Sequence, residues 1–260
     1  MAHVVLVLCA AARALAFAWF CSACVTTGSP SSRGAAPDLS VEGRALEVHV
    51  LGDGPRTLLV IAGIHGTEPA GGPLVRRLER EVRGAPERLR GVKLVLVPEL
   101  NPDGLAAGTR TNARGVDLNR NWPARNFTST ERHGGDPLTE PETRFLANLL
   151  ELHRPVLVLS FHQPLACVDY DGPAEQIAER VARACNLPVK KLGARPGSLG
   201  AYVGEDLGVP ILTLELPANA QRSSEEELWR RYGALLWQAL DEAFALDPRT
   251  DLVVLQQDHL

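Results

Sequence analysis

Residue types that bind a catalytic metal follow two hydrophobic runs of the sequence. Residues 57–61 lead into His65 and Glu68, which are three positions apart. A second run, residues 155–161, leads directly into His162. Two histidines and one carboxylate around an open position are a common ligand set of catalytic zinc, which activates water near neutral pH. The spacing therefore predicts one zinc ion held by His65, Glu68 and His162.

A further carboxylate lies inside a third hydrophobic run, residues 211–216. Glu215 would be costly to bury there without a partner, because an unpaired charge loses its hydration. A place beside the metal would explain it, since a carboxylate there can act as a general base toward water. The alternative is that Glu215 is solvated at a strand end or paired with an arginine.

The segment from residue 101 to residue 122 is rich in groups that bind carboxylates. It contains Arg110, Asn119 and Arg120. The planar guanidinium group of arginine matches a carboxylate in two-point hydrogen bonding, and asparagine adds a neutral donor. Asp117 could accept a hydrogen bond from the first ligating imidazole and so orient it. Taken alone, the segment would equally suit a solvated polar loop.

Short apolar strands alternate with amphipathic helices around these residues. Strand patterns occupy residues 45–50, 57–61, 92–97, 155–161 and 211–216, and helical patterns occupy residues 73–82, 140–153, 174–185 and 225–244. Capping-box spacing at Thr139 and Ser224, each with a glutamate three residues later, predicts two helix starts. This alternation indicates an α/β fold with a buried sheet covered on both faces. Sites in such folds lie beyond the carboxyl ends of strands, where the candidate ligands fall.

Composition and charge are those of an ordinary globular protein. The chain has 260 residues, of which 45% are apolar and 22% charged, and this suffices for one α/β domain. The net charge of −4 predicts no nucleic-acid partner. Of five cysteines, only Cys167 and Cys185 lie beyond residue 24, which leaves open one disulfide or two buried thiols.

The first 24 residues are almost entirely apolar and read as an exported leader. Arg13 would supply its basic region and residues 14–20 its short apolar region. Small residues before Cys24 resemble a bacterial lipoprotein signal, in which Cys24 would carry the lipid and tether the protein to a membrane. A plain secretory signal or a membrane anchor is the alternative.

The remaining domain boundaries follow from composition. Residues 25–40 are small and polar and predict a flexible linker. Residues 41–247 form the predicted catalytic domain, and residues 248–260 a C-terminal tail.

Five ordered motifs resemble those of the zinc carboxypeptidase family. They are His65-x-x-Glu68, Asn-Pro-Asp-Gly at 101–104, Gly-Val-Asp-Leu-Asn-Arg-Asn at 115–121, Ser-Phe-His at 160–162 and Leu-Glu at 214–215. Within this family the sequence is similar to the murein peptide amidases, which hydrolyse γ-D-glutamyl–meso-diaminopimelate bonds. The resemblance implies a monomer with one zinc-carboxypeptidase-like domain, a mixed and mostly parallel sheet, one Zn²⁺ ion and a small peptide substrate with a free carboxylate.

The resemblance also implies a role for each site residue. The metal ligands are those named above, and Glu215 is the acid and base. Arg110 polarises the scissile carbonyl and stabilises the oxyanion. Asn119 and Arg120 bind the terminal carboxylate of the substrate.

One departure from the digestive carboxypeptidases concerns a mobile tyrosine. Those enzymes carry it between the second zinc histidine and the catalytic glutamate, whereas residues 190–198 contain none. Tyr202 is a weak substitute, and we expect it to be a packed aromatic residue.

Two other functions fit part of the pattern. Deacylases of the succinylglutamate desuccinylase and aspartoacylase type share the HxxE motif, a later histidine and a catalytic glutamate, but the complete Asn-Pro-Asp-Gly segment favours a peptidase. An inactive cell-wall-binding lipoprotein is disfavoured by the intact ligands, base and arginines. An exported enzyme would be periplasmic or membrane-anchored; the alternative is a cytoplasmic enzyme acting on imported muropeptides.

Overall fold

A six-stranded mixed sheet forms the centre of the protein, in the order β1-β3-β2-β4-β6-β5. The computed structural model describes residues 38–247, which belong to one structural unit. The strands are β1 His49–Leu51, β2 Arg56–Ile61, β3 Val92–Val97, β4 Leu157–His162, β5 Leu165–Asp171 and β6 Ile211–Pro217. The four central strands run parallel, and the edge strands β1 and β5 run antiparallel to their neighbours.

Helices cover both faces of this sheet. They are α1 Gly71–Gly84, α2 Pro102–Ala107, α3 Pro141–His153, α4 Glu175–Cys185 and α5 Glu225–Ala245. Successive strand residues point to opposite faces, so Leu58 and Val60 pack with α1, α4 and α5. Leu59 and Ile61 pack on the other face, with α3 and Trp122. The predicted fold class, mixed and mostly parallel with helices on both faces, is confirmed.

The two predicted capping boxes had different outcomes. Ser224 begins α5 as predicted, because its hydroxyl accepts from the Glu227 backbone while the Glu227 carboxylate accepts from the Ser224 backbone. The box predicted at Thr139 is wrong: α3 begins at Pro141 after Glu140, which forms no side-chain cap. The carboxylate of Glu142 instead accepts from distant groups, among them the backbone N–H of Val41 at 3.2 Å.

Strand β5 is absent from the sequence prediction. It follows β4 after two residues only, so the pair resembles one long segment in sequence. Its polar residues Asp169 and Asp171 also interrupt the apolar pattern, although both are buried. The first strand is shorter than predicted, spanning His49–Leu51 only.

The fold extends slightly beyond the predicted boundary at residue 41. Ser40 is buried, and its hydroxyl donates to Asp103 at 2.7 Å, so the predicted linker is too long at this end. The leader, its Cys24 and the C-terminal tail lie outside the described residues. Within residues 38–247, no helix is long and apolar enough to cross a membrane. Cys167 and Cys185 are both free thiols.

Candidate active site

The loop after β2 carries the first two predicted ligands. The backbone N–H of Glu68 donates to the carbonyl of His65 at 3.0 Å, which closes a tight turn. Between them, Gly66 lies against α2, where an added Cβ would lie 1.9 Å from the carbonyl carbon of Gly104. Only glycine therefore allows the loop this close to α2. Both ligand side chains are buried as a result.

His162 is the last residue of β4 and meets this loop at the sheet edge. Its Nδ1 lies 3.0 Å from Glu68 Oε2 and 3.2 Å from His65 Nδ1. Donor atoms of the three residues all lie within 4.8 Å of one another. Ligands of a tetrahedral zinc ion are about 3.3 Å apart, so this arrangement of two nitrogens and a carboxylate fits zinc.

Asp117 holds His65 in the orientation that a ligand needs. Its Oδ1 lies 3.0 Å from His65 Nε2, while His65 Nδ1 faces Glu68 Oε1 at 3.0 Å. A proton on Nε2 directed at Asp117 leaves the Nδ1 lone pair for a metal. The contact expected from the sequence is thus present.

The ligand carboxylate Glu68 remains ionised despite its burial. Burial alone would raise the pKa of Glu68, but hydrogen bonds with His162 and His65 outweigh it and hold the pKa well below its usual range. An ionised carboxylate is the form that binds a cation.

Glu215 lies on β6 directly opposite His162 of β4. One carboxylate oxygen accepts from the backbone N–H of Leu165 at 3.3 Å. Burial raises the pKa of Glu215, although nearby His162 opposes this. The alternative of an arginine pair is not seen: among residues 38–247, no basic nitrogen lies within 4.0 Å of this carboxylate.

Arg110 reaches the site but is anchored to acidic neighbours. Its Nη1 donates to Glu68 Oε1 at 2.8 Å and its Nε to Asp117 Oδ2 at 3.2 Å. The side chain remains 38% exposed, so part of the guanidinium group is available to a substrate. These contacts hold a positive charge at the edge of the metal site.

Asn119 and Arg120 lie on the same wall. Asn119 Oδ1 accepts from the backbone N–H of Leu199 at 2.9 Å, which leaves its Nδ2 hydrogens available to a ligand. Burial lowers the pKa of Arg120, and the nearby charge of Arg110 adds to this, although Asp117 opposes it. A crowded, half-buried guanidinium group of this kind favours an anionic partner.

A single cavity of about 240 Å³ joins the predicted residues, with Asp117 just behind its wall. It is also lined by Gln163, Asp169 and Arg195, which sequence reasoning missed. In the sequence, Asp169 could have been recognised from the two acidic residues Asp169 and Asp171, which are separated by one position in an otherwise largely apolar segment. No comparable signal marked Arg195.

Gln163 connects the ligand Glu68 to the start of α1. Its backbone N–H donates to Glu68 Oε2 at 3.1 Å, and its side-chain oxygen accepts from the N–H of Ala70 at 3.1 Å. Tyr202 is not among the cavity residues; it stacks on Trp122, as expected of a packed aromatic residue.

Comparison with known proteins agrees with this geometry. The profile of the zinc carboxypeptidase family matches residues 38–171. Murein peptide amidase A of Escherichia coli K12 is 36% identical over 202 residues, which cover 70% of this chain and 81% of that protein. The human carboxypeptidase N catalytic chain is 29% identical over 191 residues, covering 57% of this chain and 42% of that protein.

Solved structures share the fold. Murein-tripeptide amidase MpaA from Escherichia coli O157 matches with a TM-score of 0.64 at 29% identity, covering 82% of this chain and 94% of that one. Carboxypeptidase A from Helicoverpa armigera matches with a TM-score of 0.67 at 20% identity, covering 80% and 67%, a likeness of fold alone. Sequence and fold together confirm the predicted family and its one-zinc hydrolase chemistry, and we conclude that this chain belongs to the zinc carboxypeptidase family.

Proposed function

We propose that the protein hydrolyses an amide bond in peptidoglycan-derived peptides, most specifically the γ-D-glutamyl–meso-diaminopimelate bond. The observation that carries this proposal is the cavity, which combines the zinc ligands and Glu215 with carboxylate-binding side chains. The names of the relatives, murein peptide amidase A and murein-tripeptide amidase, support the choice of substrate.

Substrate binding follows from the charges of the wall. Asn119 and Arg120 bind the free carboxylate on the residue that is released, through the donors described above. Arg110 lines the same cavity and lies within 3.2 Å of both Glu68 and Asp117. A carboxylate bound by Arg120 therefore directs the neighbouring amide toward Arg110 and Glu215.

The chemistry is divided between the metal and the side chains. A zinc ion bound by His65, Glu68 and His162 supplies Lewis-acid activation of water and carbonyl. Glu215 accepts a proton from the attacking water, and its burial favours proton uptake. Arg110 donates to the carbonyl oxygen as negative charge develops on it. As the carbon–nitrogen bond breaks, Glu215 passes the proton to the leaving amine, which yields a carboxylate and a free amine.

Mass spectrometry of the products provides the decisive test. Zinc-loaded protein is incubated with purified L-Ala-γ-D-Glu-meso-diaminopimelate, with and without a chelator. We expect L-Ala-D-Glu and free diaminopimelate, no products in the chelated sample, and recovery of activity after zinc is added back. Intact tripeptide in the zinc-loaded sample, or cleavage at the alanyl bond, would refute the proposal.

Two further measurements distinguish the proposed peptidase from a deacylase and from an inactive cell-wall-binding protein. N-succinylglutamate and N-acetylaspartate are offered under the same conditions, and turnover of these compounds without tripeptide cleavage would indicate a deacylase. Stoichiometric zinc with no hydrolysis of any compound would indicate an inactive cell-wall-binding protein.

We also propose that the protein is exported and tethered through a lipid on Cys24, because the leader resembles a lipoprotein signal. Cell fractionation with mass analysis of the mature N-terminus tests this. Recovery of an unprocessed protein in the cytosol alone would contradict it. The expected monomer stays a prediction, which light scattering can check.

A further inference from the structure

Asp169 is a buried carboxylate without a cationic partner. Its residue is 6% exposed, and its Oδ1 accepts from the backbone N–H of Leu192 at 2.8 Å. In the described part of the chain, no lysine, arginine or histidine nitrogen lies within 4.0 Å of it. Burying an unpaired charge is costly, so its presence in a ligand cavity points to a cation supplied by the ligand.

The sheet register places Asp169 close to the reaction centre. Asp169 pairs with Thr213 across β5 and β6, and Thr213 lies two residues before Glu215 on the same face. Strand geometry therefore puts the Cα atoms of Asp169 and Glu215 roughly 8 Å apart. Asp169 and Glu215 line one cavity, and Asp169 lies farther than Glu215 from the carboxyl end of β6.

Asp171 provides a contrast within the same strand. It is also buried and lines the cavity, but Lys191 Nζ lies 3.4 Å from its Oδ1. Lys191 therefore offsets part of its charge, although burial still raises the pKa of Asp171. Burial also raises the pKa of Asp169, and within residues 38–247 Asp169 has no ion-pair contact of this kind.

Arg195 is the complementary cation on the cavity wall. It belongs to the loop that covers this part of the sheet, and it is exposed. Across residues 38–247, no carboxylate oxygen lies within 4.0 Å of its guanidinium group. The positive charges of Lys191 and Arg195 nevertheless act on Asp169 from beyond this distance and lower its pKa against the larger effect of burial.

We infer that Asp169 and Arg195 form a second head-group subsite, which binds the ammonium and carboxylate groups at the far end of a diamino acid side chain. Asp169 binds the ammonium group, and Arg195 binds the carboxylate. The inference rests on the proposed function, because it concerns the residue that this reaction releases. It makes Asp169 and Arg195 specificity-determining residues of the same site.

The arrangement separates two carboxylates of one substrate residue. Asn119 and Arg120 bind the carboxylate next to the scissile amide, whereas Arg195 binds the carboxylate at the side-chain end. A lysine residue carries the distal ammonium but lacks the distal carboxylate, and norleucine lacks both. The subsite therefore ranks meso-diaminopimelate above lysine and lysine above norleucine.

The test compares four substrates of the form L-Ala-γ-D-Glu-X with the zinc-loaded enzyme. X is meso-diaminopimelate, its derivative with an amidated distal carboxylate, L-lysine or L-norleucine. We expect kcat/KM to fall about 10- to 100-fold for each charged contact that is lost, mainly through KM. Competitive inhibition by free diaminopimelate, lysine and norleucine provides a binding readout that requires no turnover.

Three variants then assign the contacts. Asp169→Asn keeps the oxygen that accepts from Leu192 but removes the negative charge. It should therefore lower kcat/KM for the substrates with a distal ammonium group and leave kcat/KM for the norleucine peptide unchanged. Arg195→Gln should lower kcat/KM only for the substrate with a free distal carboxylate. Asp171→Asn tests the neighbouring buried carboxylate, which Lys191 already contacts, and should change the ranking of the substrates less than Asp169→Asn does.

The outcomes separate this inference from the proposed function. If the wild-type enzyme cleaves none of the four peptides, the proposed function fails. If it cleaves them all with equal kcat/KM, or if Asp171→Asn rather than Asp169→Asn changes the ranking, the function stands and the subsite assignment is wrong. An unchanged ranking in Arg195→Gln would remove Arg195 from the subsite.

Discussion

His162 and Glu215 are direct register partners on the adjacent parallel strands β4 and β6. Paired positions on neighbouring strands point to the same face, so the sheet itself places the proposed base beside a metal ligand. The backbone hydrogen bond from Leu165 to Glu215 further fixes this carboxylate. Two strands that are far apart in sequence thereby assemble the reacting groups without a mobile loop.

Replacing Glu215 by Gln should abolish most turnover while zinc remains bound. The amide keeps the size of the side chain and can still accept from Leu165, but it cannot take up a proton. We expect kcat to fall about 100- to 10,000-fold. Hydrolysis rates and zinc content by elemental analysis are measured together, with Glu179→Gln on the exposed face of α4 as the control. Activity within a factor of a few of the wild type would remove Glu215 from the mechanism.

Replacing Asp117 by Asn should weaken zinc binding. The neutral amide no longer stabilises the His65 tautomer that presents Nδ1 to the metal, and it also weakens the contact with Arg110. Loss of such a supporting carboxylate typically costs 10- to 100-fold in metal affinity. Competition with a chelator of known affinity measures the dissociation constant. The exposed Asp53→Asn variant should bind zinc as the wild type does, and equal affinities for both variants would contradict the role of Asp117.

Introducing a side chain at Gly66 tests the backbone contact beneath the ligand loop. Gly66→Ala would force its Cβ against the main chain of Gly104, which cannot move as a flexible side chain could. We expect a lower melting temperature and a loss of zinc affinity together, because His65 and Glu68 flank this position. Gly84→Ala, where no atom lies within 4 Å of the added Cβ, is the matched control. A Gly66→Ala protein with wild-type stability and zinc content would show that the loop has room to relax.

The sequence allowed prediction of the elements whose physical signal is local. Strand 92–97, which is apolar except for Lys93, lies inside the sheet, where both faces are covered, and its bounds were predicted correctly. The capping box at Ser224 depends on four consecutive residues and was also predictable. The start of α3 was predicted within one residue, but its capping box was not predictable, because Glu142 bonds to Val41, which is distant in sequence.

The residues of the candidate site also fall into those with a local sequence signal and those that depend on contacts distant in sequence. The positions of the candidate ligands and of Glu215 were predictable because each lies after a recognisable strand or near its carboxyl end. Asp169 was missed because its role depends on a strand pairing, with Thr213, that no local pattern encodes. Arg195 lies in a loop, and only the fold of that loop over β5 and β6 brings it to the cavity.

The unpaired charge of Asp169 should also reduce the stability of the protein in a pH-dependent way. Burial raises the pKa of this carboxyl in the folded protein above its value in the unfolded chain. The folded protein therefore holds the proton more tightly, and stability falls as pH rises from the unfolded pKa through the folded pKa. Asp169→Asn removes this penalty, so the variant should be more stable than the wild type above the folded pKa and equally stable below the unfolded pKa.

Thermal melts of zinc-loaded wild type and variant, from about pH 8 down to about pH 4, measure this difference. A gain of about 1 kcal/mol would raise the melting temperature by about 2–4 °C at this chain length. Glu179→Gln, on the exposed face of α4, is the control and should melt as the wild type does at every pH. A variant that is both more stable and less selective would show that Asp169 is retained for binding at the expense of stability, whereas a destabilised Asp169→Asn protein at the higher pH would mean that the folded protein already compensates this charge.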